Sequence, residues 1–167
     1  RGAAIAHVFV RSEGGRWFWL QHALVEKGAA YVRPRHDNHA RTADLLAIEA
    51  QARRDERGLW RGRGYRTLNA RSAAELALET DVNCLRGDAP FRILEARIEE
   101  ARRCIGVPEE TPFELVVFGD AFANWDGPPL ASLTGAEVRA RGPLGVYRGG
   151  PQLCLDHSSQ LEVLRAE

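Results

Sequence analysis

The chain has 167 residues, 44% of them apolar, and its 23 Lys+Arg balance 23 Asp+Glu. That is apolar material for one medium domain or two small ones, and no apolar run approaches the ~20 residues of a membrane-spanning helix. The neutral total hides an asymmetry: residues 1–71 hold 14 Arg+Lys against 7 Asp+Glu, and residues 72–167 hold 9 against 16.

A net +7 followed by a net −7 suggests two units with different surfaces, the basic one suited to a polyanion and the acidic one to a protein partner. Lys27 is the single lysine, so the basic charge is almost all arginine, whose planar fork suits phosphate. The chain contains no Met and opens directly on an apolar run, so the expectation is that the true N-terminus is missing. No signal peptide is visible, which leaves the compartment open. Cys84, Cys104 and Cys154 are far apart and odd in number. They exclude a zinc site of the C-x-x-C type and an extensive disulfide framework. One bridge can form, but buried free thiols are the expected state.

In chain order, Ala4 to Val10 reads as a strand and Ser12 to Gly15 as a turn. Leu20 to Gly28 reads as a short helix with Leu20, Ala23 and Leu24 on one face, and Gly28 falls where a helix end wants positive φ. Ala29 to Pro34 follows as a short strand, then a polar loop. Thr42 is placed as N-cap of a helix from about Ala43 to Arg57, with Asp44 in its first turn. Leu45, Ile48 and Ala52 form its apolar stripe, leaving Arg53, Arg54 and Arg57 largely outside it. Gly58 is expected to end this helix, so that Leu59-Trp60 fold back and Trp60 plugs a core; a base-stacking Trp60 is the alternative.

Residues 61–72 read as a Gly/Arg-rich connector and Ser72 to Asp81 as a short helix. The stretch from Phe91 alternates as a strand does, although its dense Glu and Arg leave a helix as the competitor. Strands are expected within "PFELVVFGD", in succession from Glu137 to His157, and over Gln160 to Leu164. Gly149-Gly150 is placed as a hairpin turn. Short strands with Gly/Pro turns favour an α+β, mainly β chain built on small barrels.

The spacing Gln21, Leu24, Val25, Gly28, Ala30, then Glu49-Ala50-Gln51-Ala52 and Gly58-Leu59-Trp60, resembles the C-terminal half of the staphylococcal-nuclease-like (thermonuclease) family. The resemblance implies an OB-fold-like barrel with packed helices and calcium-dependent hydrolysis of phosphodiesters in DNA and RNA. The family uses two Asp on the metal, a Glu that activates water and two Arg on the phosphate. The Asp pair, the Glu and the first Arg lie upstream in that pattern, before residue 1. The second Arg aligns at Ala3 without a gap on Ala6-His7, or at Arg1 after a two-residue slip, so Arg1 is the catalytic candidate. The family's base-facing aromatics fall around Pro34 and His36, where this sequence has no clear Tyr. The resemblance therefore implies turnover by a full-length parent and none by residues 1–167 alone. A non-catalytic nucleic-acid- or protein-binding module on a degenerate barrel is the alternative.

Val138 to Gly142, Tyr147 to Leu155 and Gln160 to Leu164 resemble the closing strands of a second OB-type module, of the kind that follows nuclease-like domains in bacterial proteins. The expected organisation is residues 1–66 as the nuclease-like part, 67–90 as linker and short helix, and 91–167 as the second β module. Among the arginines, Arg33, Arg35, Arg41 and Arg53 are the candidate nucleic-acid contacts. His36 and His39 flank Asp37-Asn38 in a spacing that suits a loop, so no metal ligand is assigned. Ser158-Ser159 beside His157 lack a nucleophile elbow, and residues 62–64 lack the strand–helix context of a phosphate loop.

Overall fold

The computed structural model describes residues 6–35, 37–101, 105–106, 113–117 and 119–166. It is a mixed α+β chain that divides into two compact units, Arg1–Arg66 and Thr67–Glu167.

In the first unit, strands β1 (Phe9–Arg11) and β2 (Trp17–Trp19) form an antiparallel hairpin. Helix α1 (Leu20–Glu26) follows without a break. Its Gln21 side chain acts as a strand substitute: it accepts a hydrogen bond from the Val8 amide at 3.0 Å and donates one to the Ala6 carbonyl at 2.8 Å. The helix ends in paired Ala29 N–H to Leu24 and Gly28 N–H to Val25 bonds with Gly28 at φ +66°, the Schellman arrangement expected for a glycine there.

Helix α2 spans Thr42–Arg54. Thr42 is its first helical residue; the flanking position belongs to Arg41, at φ +57°. The far end also departs from the glycine stop. Arg57 N–H bonds to Ala52 and Glu56 N–H to Arg53, with Glu56 itself at φ +51°, so the helix is closed before Gly58. Gly58, at φ +52°, has a different task. A Cβ on Gly58 would sit 2.4 Å from the Gly28 carbonyl oxygen, and one on Gly28 would sit 2.2 Å from the Arg57 oxygen. Leu59 N–H bonds to the Gly28 carbonyl at 2.8 Å across this contact. The turn that follows α1 is thus pressed, backbone on backbone, against the turn that follows α2. Gly58–Arg61 then makes a 3-10 turn that buries Trp60, at 7% exposure, edge-on to Tyr65. Trp60 is a core plug.

The segment 29–34, expected as a strand, pairs with none among the described residues. Its central amide, Val32 N–H, bonds to the Glu49 carboxylate at 2.6 Å. Of the expected strand Ala4 to Val10, the observed β1 takes up only Phe9 and Val10, and Ala4 and Ile5 lie outside the described residues.

The second unit begins with helix α3 (Ala70–Thr80), capped by the Asn69 side chain on the Ser72 amide. Its inward face is Ala73, Ala74 and Ala77, small enough for close packing on the sheet. That sheet runs β3 (Phe91–Arg97), β7 (Glu137–Tyr147), β8 (Gly150–Leu155), β6 (Glu114–Val117), β5 (Ile105–Gly106) and β4 (Glu100–Ala101), with β9 (Leu161–Arg165) also on β7. A short helix α4 (Gly119–Ala123) follows β6. All pairs are antiparallel except β6 with β8. The core is Leu94, Ile98, Phe113, Leu115, Leu133, Val138, Leu144, Leu153 and their neighbours. Among the described residues, neither sheet closes into a barrel.

The β7–β8 turn is Arg148-Gly149, both at positive φ, with Tyr147 paired to Gly150. The hairpin therefore turns one residue earlier than the Gly-Gly expectation, as a type I′ turn with Gly150 already in the ladder. Arg139 lies across β3, β7 and β9, its guanidinium 2.7 Å from Glu95 and 2.8 Å from Glu162. Burial works against its charge, but the two carboxylates outweigh it and hold the pKa above the usual arginine value.

The cysteine expectation needs correction. Cys84 and Cys154 are joined in a disulfide, with Cα atoms 6.0 Å apart. The bond ties the stretch after α3 to β8, beside the Val146 amide that bonds to the Val82 carbonyl.

Two outcomes are expected. Gly58→Ala places a side chain in a left-handed backbone and against a carbonyl, and should lower the unfolding free energy by about 3 kcal/mol in denaturant titration. Reduction of Cys84–Cys154, or Cys84→Ser, should cost about 4 kcal/mol for a loop of this length, read as a fall in the second unit's Tm.

Candidate functional site

The first unit contains a cleft of about 480 Å³. Leu24, Val25 and Leu45 give it an apolar floor, and His7, Gln21, Tyr31, Arg33, Arg35 and Asn38 supply polar groups. Its position follows from the chain around it. Pro34 interrupts any helix, the Schellman turn at Gly28 reverses the chain, and Glu49 pins Val32 from behind. Tyr31, Val32 and Arg33 then line the cleft.

Glu49 is fully buried, and Arg53 one turn later stands 3.7 Å from its second oxygen. A buried carboxylate with a charged partner and an amide donor is fixed in place, because losing either partner leaves an uncompensated charge. The anchored segment therefore has a defined path although it belongs to no sheet.

The candidate arginines separate into groups. Arg33 and Arg35 are exposed and line the same cleft. Arg35 holds Asp37 through a two-pronged contact, Nε to Oδ1 at 2.9 Å and Nη2 to Oδ2 at 3.2 Å. A carboxylate held in this fork occupies the geometry a phosphate would take, and an exposed pair of this kind is worth at most about 1 kcal/mol, so an anion can displace it. Arg41 bonds to Asp44 at 3.0 Å and lays its guanidinium 4.5 Å from the centre of the Trp19 ring, and it is not among the residues that line the cleft. Arg53 turns inward to Glu49, and its guanidinium lies 6.0 Å from the Trp60 ring. Arg1 and His36 lie outside the described residues. Farther along α2, the Gln51 amide, and after it Arg57 and Arg54, hold the Asp55 carboxyl below its usual range. This favours folding at neutral pH and is lost as pH falls below the ordinary carboxylate value near 3.8.

Glu49 and Gln21 are the two positioning residues that sequence spacing did not single out as such. The signal for Glu49 was available: Leu45, Glu49 and Ala52 recur at i, i+4 and i+7, a stripe as regular as the one drawn through Ile48.

Residues 1–62 match the family model described as staphylococcal nuclease homologue. The match supports a nuclease-like family for the first unit and stops at the turn that carries Trp60. No curated protein and no solved structure gives a match.

Glu49→Ala should destabilise the first unit by about 3 kcal/mol, whereas Glu49→Gln, which keeps an acceptor for Val32 N–H, should cost clearly less. Urea unfolding followed by Trp fluorescence would rank the two, and equal losses would contradict the anchoring role.

Proposed function

We propose that the first unit is the phosphate-holding, C-terminal part of a nuclease-like OB barrel, and that its parent protein hydrolyses phosphodiester bonds in DNA or RNA. The observation that carries this is the family match over residues 1–62 together with two arginines, Arg33 and Arg35, exposed on one cleft of that unit. The chemistry is consistent: guanidinium forks grip phosphate oxygens and offset the charge that builds on them during displacement. We assign Arg1 the second phosphate contact of the family pattern. Arg41 and Arg53 act at longer range or through the fold, Arg41 by packing on Trp19 and Arg53 by holding Glu49.

Calcium is implied by the family, but the described residues bring no three His, Cys, Asp or Glu side chains together to hold an ion. We therefore give this chain no step that passes through the metal and place the metal carboxylates elsewhere in the parent. The second unit, an OB-like module by resemblance and net acidic, is assigned a protein-docking or structural role. Its disulfide supports maturation in an oxidising compartment, secreted or periplasmic. No helix among the described residues is long and apolar enough to cross a membrane.

The test is a nuclease assay on the full-length parent with and without calcium, beside residues 1–167, for which no turnover is expected. Calcium-independent inactivity of the parent with retained nucleic-acid binding would favour the non-catalytic alternative. Binding by residues 1–167 should weaken as salt rises, and Arg33→Ala or Arg35→Ala should each reduce the slope of log affinity against log salt by about 1. A salt-independent affinity would remove the arginine cleft from the function.

A further inference from the structure

The β1–β2 hairpin carries chemistry that the cleft does not use. Its register pairs Phe9 with Trp19 and Arg11 with Trp17, so period-2 alternation puts these four side chains on one face. Trp19 is buried at the base of that face, beneath the Arg41 guanidinium and against His7 and Phe9. The other two aromatics are open to solvent, Trp17 at 66% exposure and Phe9 at 52%. They lie on a cross-strand diagonal, where Cα atoms are roughly 7–8 Å apart, a span that admits a flat ring between or over them. Arg11 shares their face, with its Nε 3.4 Å from the Gly15 carbonyl, and Arg16 adds a second exposed base at the turn, against one acid, Glu13.

Phe9 stacks one side on Trp19, but more than half of its ring and most of Trp17 stay open to solvent among the described residues. Two open rings flanked by guanidinium groups, in the half of the chain with a net charge of +7, match a ligand that is both polyanionic and built of flat rings. We infer that this hairpin is a stacking platform for the bases of single-stranded nucleic acid, separate from the arginine cleft. Duplex DNA presents its charged backbone but hides its base faces, so the platform selects unpaired segments. The inference rests on the first unit being a nucleic-acid binder, and it adds a second contact surface with the residues that form it.

The test uses residues 1–167 and a fluorescein-labelled oligodeoxythymidine of about 15 nucleotides, within the site sizes common for such surfaces. Inorganic polyphosphate, which has charge but no rings, serves as the control polyanion. Trp17→Ala and Phe9→Ala should each weaken oligodeoxythymidine binding roughly tenfold and leave polyphosphate binding unchanged. Trp17→Phe should restore most of the loss, which a role for the indole N–H would not allow. Both positions are exposed, and circular dichroism of each variant is the check that it folds.

If Trp17→Ala binds the oligonucleotide like the parent sequence while Arg33→Ala weakens it, the platform is overturned and the cleft stands. Equal losses on both polyanions would reduce the hairpin to a charge or folding effect and overturn it. Trp17-dependent capture by phosphatidylglycerol vesicles, with the oligonucleotide unaffected, would replace nucleic acid by a lipid surface. No oligonucleotide binding at all would overturn the platform and the binding role of the cleft together.

Discussion

The first unit depends on two backbones meeting without side chains between them. Gly28 ends one helix in a left-handed turn and Gly58 follows the other in the same conformation, and the carbonyl of the first accepts the amide that follows the second. The neighbouring features of the unit take their place from this contact. It fixes where Trp60 enters, because the indole packs over the same glycine. It sets the distance between α1 and α2, which in turn brings Glu49 within reach of the Val32 amide. A methyl group at either glycine meets backbone, which cannot give way as a flexible side chain can.

The arginine-rich helix then carries several distinct tasks. Arg53 faces inward to a buried carboxylate, Arg57 reaches the Glu26 carbonyl at the end of α1, and Arg54 remains on the wet side. The exposed guanidinium groups that line the cleft are instead Arg33 and Arg35, on the segment that Glu49 holds. A basic helix read from sequence alone is a surface; in the folded chain, part of its charge serves to shape a neighbouring cleft. The same economy holds in the second unit, where Arg139 links three strands through Glu95 and Glu162.

The sequence was most informative where one residue type has one physical solution. Gly28 after an apolar stripe announced a helix end, and the alternation from Phe91 favoured a strand over the helix that its dense Glu and Arg also allow. It was less informative where tertiary contact decided. Nothing local says that Glu56 accepts the left-handed turn so that Gly58 is free for Gly28. The 29–34 segment has strand composition, but its amide finds a carboxylate seventeen residues away in place of a neighbouring strand. Three cysteines in odd number did not reveal the bond between Cys84 and Cys154, because their approach is set by the β7–β8 hairpin and the exit from α3. For the candidate site, arginine content suggested phosphate as the ligand, and only Arg33 and Arg35 of the four candidates line the cleft, since a side chain's direction on a loop or helix end depends on packing that spacing does not encode.

The Cys84–Cys154 bond joins positions separated by 70 residues, and that interval contains β3 to β7, α4 and nearly all of β8. A single peptide-bond break anywhere inside it leaves the two pieces covalently one molecule. A nicked protein would migrate as an intact chain until thiol reagent was added, so the second unit can survive protease exposure that would scatter an unbridged sheet.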